Sequence, residues 1–192
     1  MKILVLGDFH IPSRARDVPK QIMDEIEKNR FDLILCTGDL TEEDVLSKLK
    51  RIAPVKWVVG NMDYLDGPFE ERFSVEPFRI GLIHGTEIYP RGDVNQLYEK
   101  AVKMNVNILI SGHTHSLNIR LERGILLLNP GSVTGVLGGG PASLNPSFII
   151  LEINGNKLKV KYFELRKREV FRGEAEFQTA NEGLISTLFP LK

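Results

Sequence analysis

The sequence predicts an α/β protein, an αββα sandwich of two facing mixed β-sheets flanked by helices. Three observations carry this expectation. Strand and helix patterns alternate through the first half of the 192 residues, and hairpin signals replace helices in the last third. No internal repeat or interdomain linker interrupts them. Alternating βαβ units require a mostly parallel sheet covered by helices, whereas consecutive hairpins require antiparallel pairing.

Each element has its own signal. Residues 3–6 read as the first strand. A helix should begin near Asp17, with Pro19 in its first turn and Ile22, Met23 and Ile26 on its inner face. Residues 33–37 form the next strand. Thr41 is then a suitable N-cap for a helix carrying Val45, Leu46, Leu49 and Ile52 at helical spacing. A third strand covers residues 55–59. Residues 73–75 and 78–83 are strands around a turn at Glu76-Pro77. Asp93 caps a helix bearing Val94, Leu97, Ala101 and Val102, and residues 106–110 form a strand. Beyond that, residues 117–121 and 125–128 flank Glu122-Arg123-Gly124 as a hairpin. Residues 148–153 and 158–163 flank Asn154-Gly155-Asn156, a second hairpin with the favoured Asn-Gly turn.

Composition narrows the functional classes. A chain of 21.7 kDa predicts one domain over residues 1–192, with a core over about 1–164 and a C-terminal extension over about 165–192. Lysine plus arginine equals aspartate plus glutamate at 25 each, which argues against a nucleic-acid polymer or a membrane surface as partner. A small anionic substrate stays compatible, because a local metal charge needs no global one. Cys36 falls in an apolar run and reads as a buried thiol suited to a reducing compartment. The N-terminal apolar run is too short for a secretory segment, so a soluble cytoplasmic protein is expected.

The chemistry lies where the strands end. Gly7-Asp8-Phe9-His10, Thr37-Gly38-Asp39, Gly60-Asn61-Met62-Asp63, Ile83-His84-Gly85 and Ser111-Gly112-His113-Thr114-His115 each close a short apolar run, and together they use all four histidines. Taken singly, Gly-Asp and Gly-Asn are ordinary turns and a lone histidine is usually packed or solvated. In this order, coincidence is a poor explanation. In open α/β sheets such loops converge on one crevice. Asp8, His10, Asp39, Asn61, His84, His113 and His115 therefore make a metal centre, with enough ligands for two ions. Imidazole mixed with carboxylate and amide oxygen, without thiolate, suits Mn, Fe, Co, Ni or Zn better than Mg or Ca. Two divalent ions and two aspartates leave a centre of about +2, attractive to a phosphate ester. Metals about 3.5–4 Å apart can also clamp an in-line displacement at phosphorus. Residues 136–141 are glycine-rich but lack a P-loop ending and a following helix, so a mobile loop is expected there.

This order of motifs resembles the calcineurin-like metallophosphoesterases over roughly residues 1–164. It looks closest to their small prokaryotic phosphodiesterase branch, related to the metallophosphoesterase-fold subunit of eukaryotic retromer. Phe9-His10-Ile11-Pro12, residues 34–38 and 78–85, and Asn129-Pro130-Gly131-Ser132 carry the closer likeness. The resemblance implies two divalent ions per chain, Mn first, with Ni, Co, Fe or Zn as alternatives. Asp8, His10 and His115 would hold one, and Asn61, His84 and His113 the other, with Asp39 bridging. It further implies hydrolysis of a small phosphate diester by a metal-bridging hydroxide, with Asn61 and His84 as catalytic residues beside the phosphate. A scaffold with weak or no catalysis, of the retromer-subunit type, is the alternative in another class, and a non-specific phosphomonoesterase the alternative within the enzymes. The retromer relative has asparagine at the bridging position, whereas this chain has Asp39.

One position departs from the family pattern. Met62 stands where a histidine usually protonates the leaving group, and it has no acidic proton to give. Asp63, which would orient that histidine, is left with a turn to cap. Arg14, Arg16 and Lys20 read as solvated surface charge, and Asn129 to Ser132 as a turn, with placement of backbone amides near the site as the sharper reading. Leu184, Ile185, Leu188 and Phe189 form an apolar tail that docks on the chain's own surface or makes a homo-oligomer contact.

Overall fold

The computed structural model describes residues 1–180 and 183–188. Its fifteen elements, in order, are β1 (Lys2–Leu6), α1 (Lys20–Glu27), β2 (Leu33–Cys36), α2 (Glu43–Ile52), β3 (Val55–Trp57), β4 (Glu70–Val75), β5 (Phe78–Ile83), α3 (Val94–Lys103), β6 (Ile108–Ile110), β7 (Leu117–Glu122), β8 (Ile125–Pro130), β9 (Ser147–Asn154), β10 (Lys157–Arg166), β11 (Glu169–Ala180) and β12 (Gly183–Leu188). They form two mixed sheets, ordered β12-β11-β10-β9-β1-β2-β3 and β4-β5-β6-β8-β7.

Alternation along each strand builds the layers. Ile3 and Val5 of β1 point into the core between the sheets, with Phe78, Ile80 and Leu82 of β5 and Ile108 and Ile110 of β6. Leu4 and Leu6 point the other way, against Ile22 and Ile26 of α1 and Val45, Leu46 and Leu49 of α2. A third cluster seats Leu97 and Ala101 of α3 on Ile83, Leu109 and Leu127 of the second sheet. Buried on both faces, β2 is apolar throughout, as a central parallel strand must be. Cys36 is free and buried, and burial pushes its thiol pKa well up. No helix among the described residues is long and apolar enough to cross a membrane.

Several local expectations need correction. Helix α1 starts at Lys20 with Pro19 as N-cap, because the Asp17 carboxylate accepts only from the adjacent Val18 amide. Thr41 is not an N-cap. It has φ +79° and bridges to Ile11, and α2 follows an extended Glu42 that makes no side-chain cap. Glu43 and Asp44 in the first turn complement the helix dipole instead. The inner stripes are narrower than periodicity suggests, leaving Ile52 and Val102 exposed. Strand β3 ends at Trp57, since the Val59 amide leaves the sheet to donate to Pro68 O. Asp93 does cap α3, accepting from the Gln96 amide at 2.9 Å.

The C-terminal segment extends the first sheet. Strand β11 pairs antiparallel with β10 and β12 with β11, so Ala175, Phe177 and Leu184 fill the core between the sheets. Of the expected apolar tail, Leu184 is buried while Ile185 and Leu188 are exposed. Phe189 lies outside the described residues.

Candidate metal centre

The parallel strands of both sheets point their carboxyl ends at one edge of the sandwich. There β1 leads to Asp8 and His10, β2 to Asp39, β3 to Asn61, β5 to His84, and β6 to His113 and His115. Backbone hydrogen bonds lock these loops together: Asp8 N to Gly38 O and His10 N to Asp39 O, both at 2.9 Å, and Gly112 N to His84 O at 2.9 Å. Asp8, His10, Asp39, His113 and His115 all adopt positive φ, between 48° and 67°. Left-handed backbone costs a non-glycine residue roughly 1–2 kcal/mol, so five in one site mark stored strain, as functional sites often do. The glycines have steric reasons. Gly38 has φ +92°, and a Cβ on Gly60 would fall 2.1 Å from Asp39 Oδ1.

All seven candidate ligands converge. Asp8, His10, Asp39 and His115 offer ligand atoms that lie within 4.8 Å of one another. His10 Nε2 faces His115 Nε2 at 3.1 Å and Asp39 Oδ2 at 3.2 Å, and His115 Nε2 lies 3.6 Å from Asp8 Oδ1. Beside this group, His84 Nε2 meets Asn61 Oδ1 at 3.1 Å, His113 Nδ1 at 3.2 Å and Asp39 Oδ2 at 3.6 Å. Asp39 Oδ2 thus faces both groups.

Hydrogen bonding sets the direction of the lone pairs. His84 Nδ1 donates to Thr37 O at 2.8 Å and His115 Nδ1 to Val136 O at 2.7 Å. A carbonyl only accepts, so each Nδ1 carries the proton and each Nε2 turns a lone pair inward. The His84 lone pair meets the amide, the carboxylate and another imidazole, an arrangement of acceptors that suits a cation. His10 Nδ1 is buried with no hydrogen-bond partner.

Electrostatics agree with a cation site. Burial, with neighbouring His115, lowers the His10 pKa to about 3, and burial with His84 lowers that of His113 to about 4. Burial also lowers that of His115. These three imidazoles are therefore neutral at pH 7, with lone pairs free for a cation. Burial, reinforced by Asp39, pushes Asp8 well above the usual carboxylate range, and burial raises Asp39 although His84 opposes it. Divalent cations would relieve both carboxylates, and the donor set fits Mn, Fe, Co, Ni or Zn.

Further residues hold the site in ways their local sequence does not show. Asp63 does more than cap a turn: it accepts from the amides of Asp39, Thr41 and Gly60 at 2.7–2.9 Å. Ser132 Oγ donates to Asp8 O at 2.7 Å and Thr134 Oγ1 to Phe9 O at 2.9 Å. Asn129 Nδ2 donates to Gly112 O at 2.7 Å, so this turn braces the loops with side chains. The glycine-rich segment also belongs here, because Val136 O orients His115. Arg14 is tied to that segment through Leu137 O, and Arg16 and Lys20 are exposed.

Beside Asn61 and His84 opens a cavity of about 540 Å³, lined also by Phe69, Thr86, Glu87 and Lys100. A cavity of about 490 Å³ lies behind the loops between α1 and α2, and none of the seven residues lines it.

Comparison with known proteins gives a consistent placement. The family model of the calcineurin-like phosphoesterase superfamily domain matches residues 1–156. A probable metallophosphoesterase of Methanothermobacter thermautotrophicus is 44% identical over 161 residues, 82% of this chain and 89% of that protein. The crystal structure of a Vps29 single mutant from Entamoeba histolytica superposes with a TM-score of 0.88 at 35% identity, covering 93% of this chain and all of that one. Wild-type Vps29 from the same organism, complexed with Zn, gives a TM-score of 0.83 at 35% identity over 92% of this chain and 99% of that one.

Proposed function

The chain belongs to the calcineurin-like phosphoesterase superfamily, in its Vps29-related branch, and from that premise we propose a divalent-metal-dependent phosphodiesterase acting on small phosphate diesters. One observation carries the proposal: Asp39 Oδ2 lies 3.2 Å from His10 Nε2 and 3.6 Å from His84 Nε2, placing one carboxylate between two clusters of ligands. On this reading the chain would take two divalent ions, Mn first. Asp8, His10 and His115 would hold one and Asn61, His84 and His113 the other, with Asp39 near enough to serve both groups. Such ions would supply Lewis acidity toward the phosphoryl oxygens and a water acidic enough to act as nucleophile near neutral pH.

The residues of the chain do the positioning. Asp8 and Asp39 bring negative charge, the neutral imidazoles bring lone pairs, and carbonyls of Thr37 and Val136 fix two of the rings. Asn61, the exposed member of the set, and His84 border the 540 Å³ cavity, where they would orient the phosphate while the cavity takes an ester substituent. Met62 offers no proton to the leaving oxygen.

A protein-binding module with weak or no catalysis is the second reading. The likeness to Vps29 over 93% of the chain favours it, and the retained Asp39 carboxylate weighs against it. Metal-free protein reconstituted with Mn, Ni, Co, Fe or Zn and screened against phosphodiesters and monoesters separates the readings. Diester hydrolysis is expected, strongest with Mn. Turnover confined to monoesters, or none with any ion, would overturn the proposal.

A further inference from the structure

Residues 136–141 close over the His115 side of the centre, and they bring two arginines with them. Gly138 packs so tightly that a Cβ there would fall 2.5 Å from the His115 ring. Arg14 Nη1 donates to Leu137 O at 2.7 Å and Arg91 Nη1 to the next carbonyl, Gly138 O, at 2.5 Å. Arg91 Nη1 also reaches His113 O at 3.5 Å. The two side chains come from different loops, one following His10 and the other preceding α3, yet they meet neighbouring carbonyls of one segment. Both are exposed, and neither is paired with a carboxylate among the described residues.

Two fixed cations are a poor choice beside a cation site. Both hold the segment whose Val136 O orients His115, and Arg91 Nη1 also reaches His113 O. Two positive charges therefore sit beside the centre and oppose divalent ions held there. The arrangement becomes favourable when an anion binds between the arginines and the metals, because it then meets positive charge from both sides. Each guanidinium spends one N–H corner on the loop and keeps other donors for an oxyanion, with a fork geometry that matches phosphate.

We propose that Arg14 and Arg91, fastened to the glycine-rich segment, form an anion clamp for the phosphoryl group of the substrate on the His115 side of the metal centre. It rests on the metallophosphoesterase reading and adds binding residues to Asn61 and His84. It also gives the glycine-rich segment a role, carrying both guanidiniums to the rim.

Arg14→Gln and Arg91→Gln test the clamp, since glutamine can still donate to the loop carbonyl but carries no charge. Arg168→Gln, in the turn between β10 and β11, is the control. Mn binding is followed by electron paramagnetic resonance and inorganic phosphate binding by calorimetry on the Mn-loaded protein. Each clamp variant should weaken phosphate about tenfold or more, while Mn affinity holds or tightens. Unchanged phosphate affinity would overturn the clamp and leave the metal reading standing. Parallel loss of Mn and phosphate would also overturn it, by reducing the arginines to loop braces. A wild type that takes up no Mn would remove the metal reading alone. In that case a phosphate-dependent rise in Tm that vanishes in both variants supports the clamp, and no such rise overturns it.

Discussion

Asp63 Oδ2 accepts the backbone amide of Asp39 at 2.9 Å, while the amide of Met62, one residue earlier, donates to Asp39 Oδ1 at 2.8 Å. The loop after β3 therefore grips Asp39 by both its backbone and its side chain. Asp63 also accepts from Gly60 and Thr41, so one carboxylate sets the spacing between the Gly-Asp and Gly-Asn motifs.

Asp63→Asn replaces an acceptor oxygen with an amino group that cannot accept from these N–H donors. Outer supports of metal ligands are typically worth 10–100-fold in affinity, and the expected loss for Mn is about tenfold. Calorimetric Mn titration of both proteins checks this. Unaltered affinity in a fully folded variant would show that Asp39 needs no such support.

Asp39→Asn should separate metal binding from folding. Burial raises the Asp39 pKa, and such a group favours folding while protonated. That contribution is complete below its unfolded pKa and fades as pH rises through the higher folded value. At pH 7 the buried charge is therefore a cost to the metal-free protein. The variant should lose Mn and hydrolysis yet melt higher than metal-free wild type at pH 7, and the advantage should shrink toward acid. A lower Tm for the variant at pH 7 would mean that Asp39 is stabilising without metal.

The convergence of Asp8, Asp39, His84 and His113 was legible because each follows a short apolar run, and strand direction then fixes where they meet. Asn129 and Ser132 are legible as a turn with backbone amides near the site, but their side-chain roles are not. Their bonds to Gly112 O and Asp8 O join segments that no local pattern connects. Arg91 carries no local signal for the same reason, since its partner Gly138 lies in another loop. Strand β11 does alternate, with Ala175 and Phe177 inward between Glu174, Glu176 and Gln178, but Gly173 interrupts the pattern. A Cβ at Gly173 would fall 2.1 Å from the Tyr162 hydroxyl, so cross-strand packing selects a residue of poor strand propensity. Thr41 failed as a cap because the tertiary bond from its amide to Asp63 outweighs local preference.

Glu25 links α1 to β11 through Arg172, with Nη2 at 2.6 Å from Oε1 and Nε at 3.3 Å from Oε2. The Arg172 hydrogen bond holds the Glu25 carboxyl below its ordinary pKa of 4.5. A lowered carboxyl pKa gives stability that is present above the unfolded pKa and lost as pH falls through the folded one. Arg172 is half exposed, so Glu25→Gln should cost only about 1 kcal/mol at pH 7 and almost nothing once both pKa values are passed. Urea melts at pH 7 and at a series of lower pH values measure the difference, and a cost that stays constant down the whole series would assign it to packing.

The segment after β11 should matter for stability and not for metal. None of the seven candidate ligands lies there, whereas Leu184 is 2% exposed and its amide donates to Gly124 O at 2.8 Å. Leu184→Ala should cost about 2–5 kcal/mol, as loss of a buried leucine does, with Mn stoichiometry unchanged. Deleting residues 181–192 tests the exposed Ile185 and Leu188 as an oligomer contact. Light scattering would then register a smaller species, and loss of Mn on deletion would show that the extension supports the centre.

Met62 should make catalysis unusually dependent on the leaving group. The attacking water needs nothing from residue 62, but a departing alkoxide lacks a positioned proton donor there. General acid assistance is worth about 10²–10⁴-fold and matters most for basic leaving groups. Activated aryl diesters should therefore be cleaved readily and alkyl diesters poorly. Met62→His should selectively improve the alkyl series. The Met62 amide already bonds to Asp39 and the side chain is only half-buried, so an imidazole can be introduced without opening a core cavity. Asp63 is committed to three amides, which leaves it less free to orient the new ring and should keep the gain toward the lower end of that range. The measurement is log kcat/KM against leaving-group pKa for both proteins. A shallower slope in the variant is expected. Equal slopes, with wild type already fast on alkyl diesters, would place the proton donor elsewhere in the site.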